Sequence, residues 1–393
     1  MKKVKIGLFG FGTVGEGLYE VIKNSEGANA EIVKICVKTK NKKRSLPEDY
    51  FTCDSDDIFN NKEVNIIVEL IDDAEESYKI VKRALLNKIP VVSGNKKMIA
   101  YNLPELIDLQ EKYKTPFLYD ASACGSIPVI RNLEEYYDND LLLSVKGILN
   151  GSSNFILSKI FNENMSYDSA LRLAQSLGFA ESNPVFDVGG YDTLFKLVIL
   201  TIHAFGIYVS PDDVLNIGIN KLNNYDIRFA KEKGWRIKLL GEVIKKSKDD
   251  ITLYVMPSLV GKNKYIYSVE DEFNGVVIKG SYYDKQFMFG KGAGGYPTGS
   301  AVLSDITATQ YNYRYEYKKL HNFSKFNYTT SCEINIYFRY IEAEDIKLLN
   351  FINIEEKFWS KEYSYVVGTV KLCDLIKVKN EISKRDIFIA TIQ

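Results

Sequence analysis

Four ionisable side chains in the middle of the chain could do proton chemistry: Glu181, Asp187, Asp192 and Lys196. Lys196 lies four residues after Asp192, so both side chains share one face of a predicted helix. A lysine in so apolar a helix must pair, extend to the surface or have its pKa lowered by burial. Each outcome suits a lysine that gives and takes a proton, because such a group works best with a pKa near the working pH. The alternative is an aspartate N-cap with an ordinary surface lysine beside it.

The surrounding sequence predicts the elements that would hold these groups. Residues Tyr167–Gly178 have helical apolar spacing and end at a glycine. Residues Phe179–Tyr191 contain a proline and two glycines, which predicts a loop. Residues Asp192–Phe205 are apolar on most sides, which predicts a buried helix.

A glycine motif near the amino terminus predicts a second chemical site. Val4–Gly10 has the pattern of a buried strand and a helical stretch runs to about Lys23, with Gly10-Phe11-Gly12-Thr13-Val14-Gly15 between them. In this context the first glycine permits a tight turn, the second lets the backbone approach a pyrophosphate, and the third lets helix and strand pack closely. The motif therefore predicts dinucleotide binding. A glycine-rich turn without a cofactor is the alternative.

The end of the second predicted strand, Glu31–Val37, bears on the choice of cofactor. An NAD enzyme often has an acidic residue there for the ribose 2′-hydroxyl. This chain instead has a basic run, Lys38, Lys40, Lys42, Lys43 and Arg44. Basic groups favour a 2′-phosphate and hence NADPH; a solvated charged loop is the alternative.

Further apolar runs alternate with helical patterns through the amino-terminal third. Strands are predicted at Val64–Ile71, Pro90–Ser93 and Phe117–Ala121, which indicates a parallel doubly wound sheet. Ligands bind beyond the carboxyl ends of such strands. Lys96 lies at one such end and is a candidate for holding a substrate oxygen; a surface lysine is the alternative.

Composition restricts the class of protein. The 393 residues carry 51 Lys+Arg and 51 Asp+Glu, so the net charge is zero and we expect neither a nucleic-acid nor a membrane partner. No run approaches the roughly 20 apolar residues of a membrane span. The five scattered cysteines form no CxxC pair, which argues against a zinc site or a disulfide framework. A small-molecule substrate and a reducing, cytoplasmic location are expected.

Several motifs together resemble the homoserine dehydrogenase family over roughly residues 4–310. They are GFGTVG at 10–15, GNK at 94–96, DASACGSIP at 120–128, GILNGSSNFIL at 147–157, LGFAESNPVFDVGGYDTLFKL at 177–197 and GKGAGGYPTGSAVLSD at 290–305. The resemblance implies a Rossmann-type α/β fold and reversible NAD(P)-dependent hydride transfer between homoserine and aspartate 4-semialdehyde, a step in threonine, methionine and isoleucine biosynthesis.

The resemblance also implies residue roles. Lys196 would be the catalytic lysine, with Asp192 as its partner and Lys96 as a second lysine near the reacting oxygen. The substrate would be held by Glu181, Asp187 and Gly151, with Glu181 taking its ammonium. Cofactor contacts would come from Gly10, Phe11, Gly12, Thr13, Val14, Gly15, Lys38, Asn95, Lys96, Gly292 and Ala293. A monovalent cation, Na⁺ or K⁺, would be held by Asp120, Ala123, Gly125 and Ile127.

Two departures from the family pattern affect these expectations. Asp72-Asp73-Ala74 stands where the family has a glycine-rich turn beside the cofactor, so these carboxylates either repel a phosphate or point to solvent. After residue 316 the sequence predicts an alternating module with a strand at Glu333–Tyr340, a helix at Asp345–Ile354, a strand at Tyr363–Val370, a helix at Leu372–Glu381 and a strand at Asp386–Ile392. It is similar to an ACT domain, but the expected glycine-bearing ligand loop is absent.

The predicted organisation has three parts. A dinucleotide-binding domain spans residues 1–130 and is completed by 297–315. A catalytic and dimerisation domain spans 131–296, and the ACT-like module spans 316–393. A homodimer is expected by resemblance. Two alternatives remain: a catalytically silent homologue acting as a regulatory or binding subunit, and a dehydrogenase of a related amino alcohol.

Overall fold

The computed structural model describes residues 3–39, 42–181, 183–322 and 325–393. The chain forms two compact units. The first consists of Met1–Asp138 and Lys291–His321, and the second of Asn139–Gly290 and Asn322–Gln393. None of the described helices is both long and apolar enough to cross a bilayer.

The first unit is built on a six-stranded sheet in which every pair of neighbours is parallel. In chain order the strands are Val4–Phe9, Ala30–Cys36, Phe51–Thr52, Ile66–Glu69, Val91–Ser93 and Phe117–Leu118, and their spatial order is 3-2-1-4-5-6. The first and fourth strands are neighbours, and the chain moves outward in opposite directions on either side of them. Sheets of this kind bind a dinucleotide at that position. The prediction of a Rossmann-type sheet is confirmed.

Helices accompany this sheet. They are Thr13–Lys23, Asp56–Phe59, Ala74–Leu86, Lys96–Tyr113, Ala121–Cys124, Val129–Glu135, Gly295–Thr309 and Lys318–Asn322, with a 3-10 turn at Glu48–Tyr50. Helix Gly295–Thr309 packs so closely on helix Thr13–Lys23 that a Cβ on Gly17 would lie 2.2 Å from the carbonyl oxygen of Gly295.

The second unit is built on a mixed sheet of eleven strands. They are Leu142–Ile148, Leu215–Asn216, Arg236–Lys245, Asp250–Val260, Phe273–Gly280, Asp284–Lys291, Asn327–Tyr328, Glu333–Tyr340, Asn353–Trp359, Ser364–Lys371 and Phe388–Ile392. The helices are Gly151–Glu163, Tyr167–Ser176, Val185–Val188, Tyr191–Phe205, Asn224–Glu232 and Leu372–Lys384, with 3-10 turns at Pro211–Asp213, Tyr265–Ser268 and Ala343–Leu348.

The carboxy-terminal residues 325–393, called the tail below, continue this sheet. Strand Phe388–Ile392 pairs in parallel with Asp250–Val260, and the next strand out is Glu333–Tyr340. The tail residues Ile336 and Phe338 share one apolar cluster with Tyr254 and Met256 of the catalytic half of the unit. The tail is therefore joined to the second unit by both hydrogen bonds and apolar packing. The three-part domain division stays a prediction.

One element predicted in the tail is wrong. The helix predicted at Asp345–Ile354 is instead a 3-10 turn followed by strand Asn353–Trp359, which pairs antiparallel with Ser364–Lys371. Two asparagines and three isoleucines make this stretch a poor helix former, and the neighbouring strand offers a backbone ladder. The other four tail elements are confirmed within a few residues, but the likeness to an ACT domain is not confirmed.

Candidate active site

The glycine motif of the first unit has the geometry of a phosphate cradle. Gly10 has φ +92°, and a Cβ there would lie 2.6 Å from the carbonyl oxygen of Leu70, so only glycine fits this turn. A Cβ on Gly15 would lie 2.5 Å from the carbonyl oxygen of Gly10, whereas a Cβ on Gly12 would meet nothing within 4 Å. Gly12 is the uncapped N-cap of helix Thr13–Lys23, and free backbone N–H groups at a helix start attract phosphate. These residues fit a dinucleotide.

The residues beside this motif include the carboxylates that depart from the family pattern. Asp73 is the N-cap of helix Ala74–Leu86 and accepts hydrogen bonds from the backbone N–H groups of Glu75 (3.0 Å) and Glu76 (3.1 Å). Those two bonds lower the pKa of Asp73, with a smaller contribution from the charge of Lys38. Asp73 therefore has a structural role as the cap of this helix. The sequence alone had left open whether this carboxylate repels a phosphate or points to solvent.

The basic run after the second strand is partly described. Lys38 is exposed, and Lys40 lies outside the described residues. The guanidinium of Arg44 lies 4.9 Å from the ring centre of Phe51, and Phe51 packs edge-on against Phe11 of the glycine motif, with ring centres 5.4 Å apart. The positively charged Arg44 side chain is therefore held beside the glycine motif on which a dinucleotide would bind.

The GNK motif forms the start of the next helix. Asn95 is the N-cap of Lys96–Tyr113, with its Oδ1 accepting from the N–H of Met98 at 2.9 Å and its Nδ2 donating to the carbonyl of Ile71 at 3.0 Å. Lys96 is half-buried in the first turn. Asn95 thus ties the carboxyl ends of two adjacent strands together and fixes the position of Lys96.

Gly292 and Ala293 lie between strand Asp284–Lys291 and helix Gly295–Thr309. Gly292 packs against Gly125, where a Cβ would lie 2.6 Å from the carbonyl carbon and oxygen of Gly292. The segment between strand Asp284–Lys291 and helix Gly295–Thr309 therefore packs directly against Gly125, in the loop that follows Asp120.

Glu69 is a buried carboxylate at the end of strand Ile66–Glu69 that the sequence analysis missed. Its side chain accepts hydrogen bonds from the hydroxyl of Ser93 (2.6 Å) and the backbone N–H of Ile71 (2.8 Å). Burial raises its pKa to about 7, against the opposing effect of those hydrogen bonds. A single carboxylate inside the apolar run VNIIVELI was the signal that could have revealed it.

We expect Glu69→Gln to change how stability depends on pH. The folded-state pKa of Glu69 lies above the unfolded value of 4.5, so its contribution is fully present below about pH 4.5 and is lost as pH rises through 7. Relative to Glu69→Gln, the wild-type free energy of unfolding should fall by a few kcal/mol across this range. Urea denaturation at several pH values measures the difference; the exposed Glu75→Gln is the control, and parallel curves for wild type and Glu69→Gln would contradict the expectation.

The residues predicted to hold a monovalent cation surround a buried acidic group. Asp120 Oδ1 accepts from the backbone N–H of Ile130 (2.9 Å) and Arg131 (3.3 Å), and the carbonyl of Ile127 accepts from the N–H of Val129. A carboxylate and three carbonyls are the donors that a hard cation takes. Two of these donor groups already have hydrogen-bonding roles, so the cation set of Asp120, Ala123, Gly125 and Ile127 stays a prediction.

The second unit brings the predicted catalytic lysine and its partner together. Lys196 and Asp192 lie on helix Tyr191–Phe205 with Nζ and Oδ2 2.7 Å apart, and both side chains are about 7% exposed. Lys196 Nζ also donates to the carbonyl oxygen of Leu149 at 2.7 Å. An ammonium has three N–H donors, and within the described part of the chain two of them are used. The third can donate to a substrate oxygen.

Asn150 joins the acidic residues and was also missed by the sequence analysis. Its Nδ2 donates to Asp187 Oδ1 (2.7 Å) and to Asp192 Oδ2 (3.0 Å), while its Oδ1 accepts from the N–H of Ser153 as the N-cap of helix Gly151–Glu163. One amide therefore sets the distance between two carboxylates. An asparagine between an apolar strand and a helix start was the available signal.

Of the two other residues predicted to bind substrate, one is buried and one is exposed. Gly151 is buried at the start of its helix, where a Cβ would lie 2.6 Å from the carbonyl oxygen of Glu272. Glu181 is exposed, and within the described residues its side chain does not join the cluster around Asn150. Ser182, beside it, lies outside those residues.

The loop that carries Asp187 is more ordered than predicted. Residues Val185–Val188 form one helical turn rather than part of a continuous loop. Gly190 then takes a left-handed conformation, φ +82°, directly before helix Tyr191–Phe205. Because only glycine adopts that conformation at little cost, Gly190 turns the chain so that Asp187 and Asp192 both reach Asn150.

Comparison with known proteins gives a consistent result. Residues 128–307 match the family model described as homoserine dehydrogenase, and residues 10–120 match its NAD-binding domain. The homoserine dehydrogenase of Helicobacter pylori is 39% identical over 312 residues, which are 78% of this chain and 73% of that protein. The Bacillus subtilis enzyme is 34% identical over 80% of this chain and 74% of that protein.

Solved structures extend the similarity to the tail. A homoserine dehydrogenase from Thiobacillus denitrificans superimposes with a TM-score of 0.85 at 28% identity, covering 100% of this chain and 99% of that one. A hyperthermophilic archaeal homoserine dehydrogenase mutant in complex with NADPH has a TM-score of 0.68 at 26% identity, covering 80% of this chain and 99% of that one.

Proposed function

This chain belongs to the homoserine dehydrogenase family, and from that premise we propose that Lys196 moves the proton in its reaction. The enzyme is an oxidoreductase acting on a CH–OH group. Homoserine and oxidised cofactor give aspartate 4-semialdehyde, reduced cofactor and a proton. The buried contact between Lys196 and Asp192 is the observation that carries the proposal.

The roles follow from the chemistry of the reacting oxygen. When bound, the nicotinamide accepts or donates the hydride. In the direction of reduction the carbonyl oxygen gains negative charge, and the Lys196 ammonium donates a proton to it. Asp192 and the carbonyl of Leu149 hold that ammonium in place. In the direction of oxidation Lys196 takes up the hydroxyl proton.

Glu181 and Asp187 are proposed to hold the substrate as an acidic pair, with Glu181 taking its ammonium. The Asp187 carboxylate accepts from Asn150 at 2.7 Å, which orients it as an acceptor before the substrate arrives. Lys96 is proposed as a second donor near the reacting oxygen. The direct test is to supply homoserine with NAD or NADP and to follow reduced nicotinamide by absorbance. No reduced cofactor under any condition would support the silent homologue instead, and preference for another amino alcohol would support the third alternative.

Cofactor binding is proposed to depend on the open space at Gly12. We expect Gly12→Ala to fold normally, because its Cβ would meet nothing within 4 Å. It should weaken binding of the dinucleotide about a hundredfold, since the added methyl group would occupy the space for the pyrophosphate. Fluorescence titration measures the affinity. Gly27→Ala is a matched control because its Cβ also meets nothing within 4 Å; equal affinity in the two variants would refute the assignment.

We propose that NADPH is the preferred cofactor, because Lys38 and Arg44 follow the second strand where an NAD enzyme would often have an acidic residue. NADPH should bind more tightly than NADH. Arg44→Ala should weaken NADPH about tenfold while leaving NADH unchanged, with the distant, exposed Lys62→Ala as control. Tighter binding of NADH by the wild type would reverse this proposal.

The remaining expectations are proposed on separate observations. A homodimer is supported by the stacked aromatic pairs Tyr265–Phe287 and Phe273–Phe289, in which Tyr265, Phe287 and Phe289 are exposed, since exposed apolar patches mark interfaces. Sedimentation equilibrium measures the mass. The five described cysteines are all free thiols, which supports a reducing, cytoplasmic location. An ACT-like tail and the three-part domain division remain part of this proposal.

A further inference from the structure

A cavity of about 270 Å³ lies within the second unit, behind the turn that carries Asp187. One wall is formed by Val188 and Gly189, the next by five of the six residues between Asn216 and Lys221, and the third by tail residues between Lys379 and Ile389. We call it the tail cavity. Asp187, Asp192 and Lys196 are not among its lining residues, so it is separate from the candidate substrate site.

The tail cavity has cationic and aliphatic walls. Among the residues that the structure describes, Lys221 and Lys379 are its lysines, and no aspartate or glutamate lines it. Within the described ranges neither ammonium has a hydrogen-bond or ion-pair partner. Burial lowers the pKa of Lys379, against the opposing charge of Asp212. The other walls include Val185, Ile217, Ile382 and Phe388. Two unpaired ammonium groups beside aliphatic surface suit an organic anion with an apolar chain.

The cavity wall is directly bonded to the catalytic turn. Asn216 Nδ2 donates to the carbonyl of Gly189 at 2.9 Å, and the N–H of Ile219 donates to the carbonyl of Val188 at 2.7 Å. A Cβ on Gly218 would lie 2.1 Å from the same Val188 oxygen. Because these segments are packed without space between them, a ligand that shifts one must shift the other.

We propose that the tail cavity binds a small aliphatic carboxylate and that its occupation changes the position of Asp187. The volume corresponds to about nine water molecules, which suits an acid of roughly eight non-hydrogen atoms. The carboxylate lies between Lys379 and Lys221, and the aliphatic chain lies against Ile382 and Phe388. The effect on substrate rests on the proposed role of Asp187; binding itself does not.

Calorimetric titration of the full chain with 4-methylpentanoate tests the binding. We expect saturable heat with the wild type, and at least about tenfold weaker binding in Lys379→Gln and in Lys221→Gln. Lys384→Gln is the matched control, because it removes the same charge from the same helix outside the cavity and should bind like wild type. The uncharged 4-methylpentan-1-ol should bind more weakly than the acid. No heat with the acid, or equal affinity in the wild type and both cavity variants, would overturn the proposal.

A comparison of two ligands separates a plain acid from an amino acid. Asn216 Oδ1 is buried without a hydrogen-bond partner in the described structure, and an amino-acid ammonium would supply one, so L-leucine should bind at least as tightly as 4-methylpentanoate. Tighter binding of 4-methylpentanoate assigns the site to acids without an amino group. Both outcomes support a carboxylate site.

The kinetic readout is the KM for homoserine. Saturating ligand should change KM more than kcat in the wild type and in Lys384→Gln, and should change neither in Lys379→Gln. Binding without any turnover of homoserine would refute the proposed function but leave the site intact. Binding with unchanged KM and kcat would overturn the proposed coupling to Asp187.

Discussion

In a Lys196→Ala variant, kcat for homoserine falls about a thousandfold while the dissociation constant of the cofactor stays close to that of wild type. General acid–base groups contribute roughly 10²–10⁴ in rate, and Lys196 is the only buried ammonium described in contact with Asp192. Cofactor affinity persists because the glycine motif belongs to the other compact unit. Steady-state kinetics and fluorescence titration measure the two quantities.

The burial of the pair requires a control for folding. Removing Lys196 leaves the Asp192 carboxylate buried without its cation, which can cost about 3–5 kcal/mol. The double variant Asp192→Asn/Lys196→Ala removes that charge and should recover stability but not turnover. Lys159→Ala is the matched control, because Lys159 and Glu163 form another i,i+4 pair at 2.7 Å that is more exposed. Its activity should equal that of wild type.

A second large effect is expected at Arg339, which is fully buried in the tail. Its guanidinium donates to Asp226 of helix Asn224–Glu232 at 3.1 Å, to Asp386 at 2.7 Å and to the carbonyl of Lys221 at 2.8 Å. Arg339→Met should lower the free energy of unfolding by about 3–5 kcal/mol, because it leaves buried acceptors without a partner. Urea denaturation followed by circular dichroism measures this loss.

Two comparisons distinguish that mechanism from a general loss of packing. Burial raises the pKa of Asp226 to about 6 even beside Arg339, so Asp226→Leu/Arg339→Leu should be more stable than Arg339→Met. Arg83→Met removes a more exposed arginine whose partner Asp56 is also exposed and should cost about 1 kcal/mol or less. Equal losses in Arg339→Met and Arg83→Met would contradict a special role for the buried contact.

Features with a local cause could be predicted from the sequence. The glycine motif was recognisable because strand, glycines and helix follow each other directly, and each glycine has the space or conformation that its role requires. The pairing of Asp192 with Lys196 followed from helical spacing alone. Helix Tyr191–Phe205 was predicted within one residue because its apolar pattern is long and uninterrupted.

Features that depend on distant partners could not be predicted in this way. Asn150 acquires its role only when the chain brings Asp187 and Asp192 to it from 37 and 42 residues away. The stretch around Asn353 becomes a strand because strand Ser364–Lys371 is there to pair with it. Arg339 lies 113 residues from Asp226, and no local pattern indicates that contact.

Chemical rescue tests the central claim most directly. Lys196→Ala should leave space for a small primary amine. Added methylamine or ethylamine, whose neutral form can take up the hydroxyl proton, should restore oxidation of homoserine in a concentration-dependent manner. The rescue rate should depend on the basicity of the amine, because the amine would take over the proton transfer. Turnover in Lys196→Ala that equals wild type without any amine would contradict the assignment of Lys196 as the group that moves the proton.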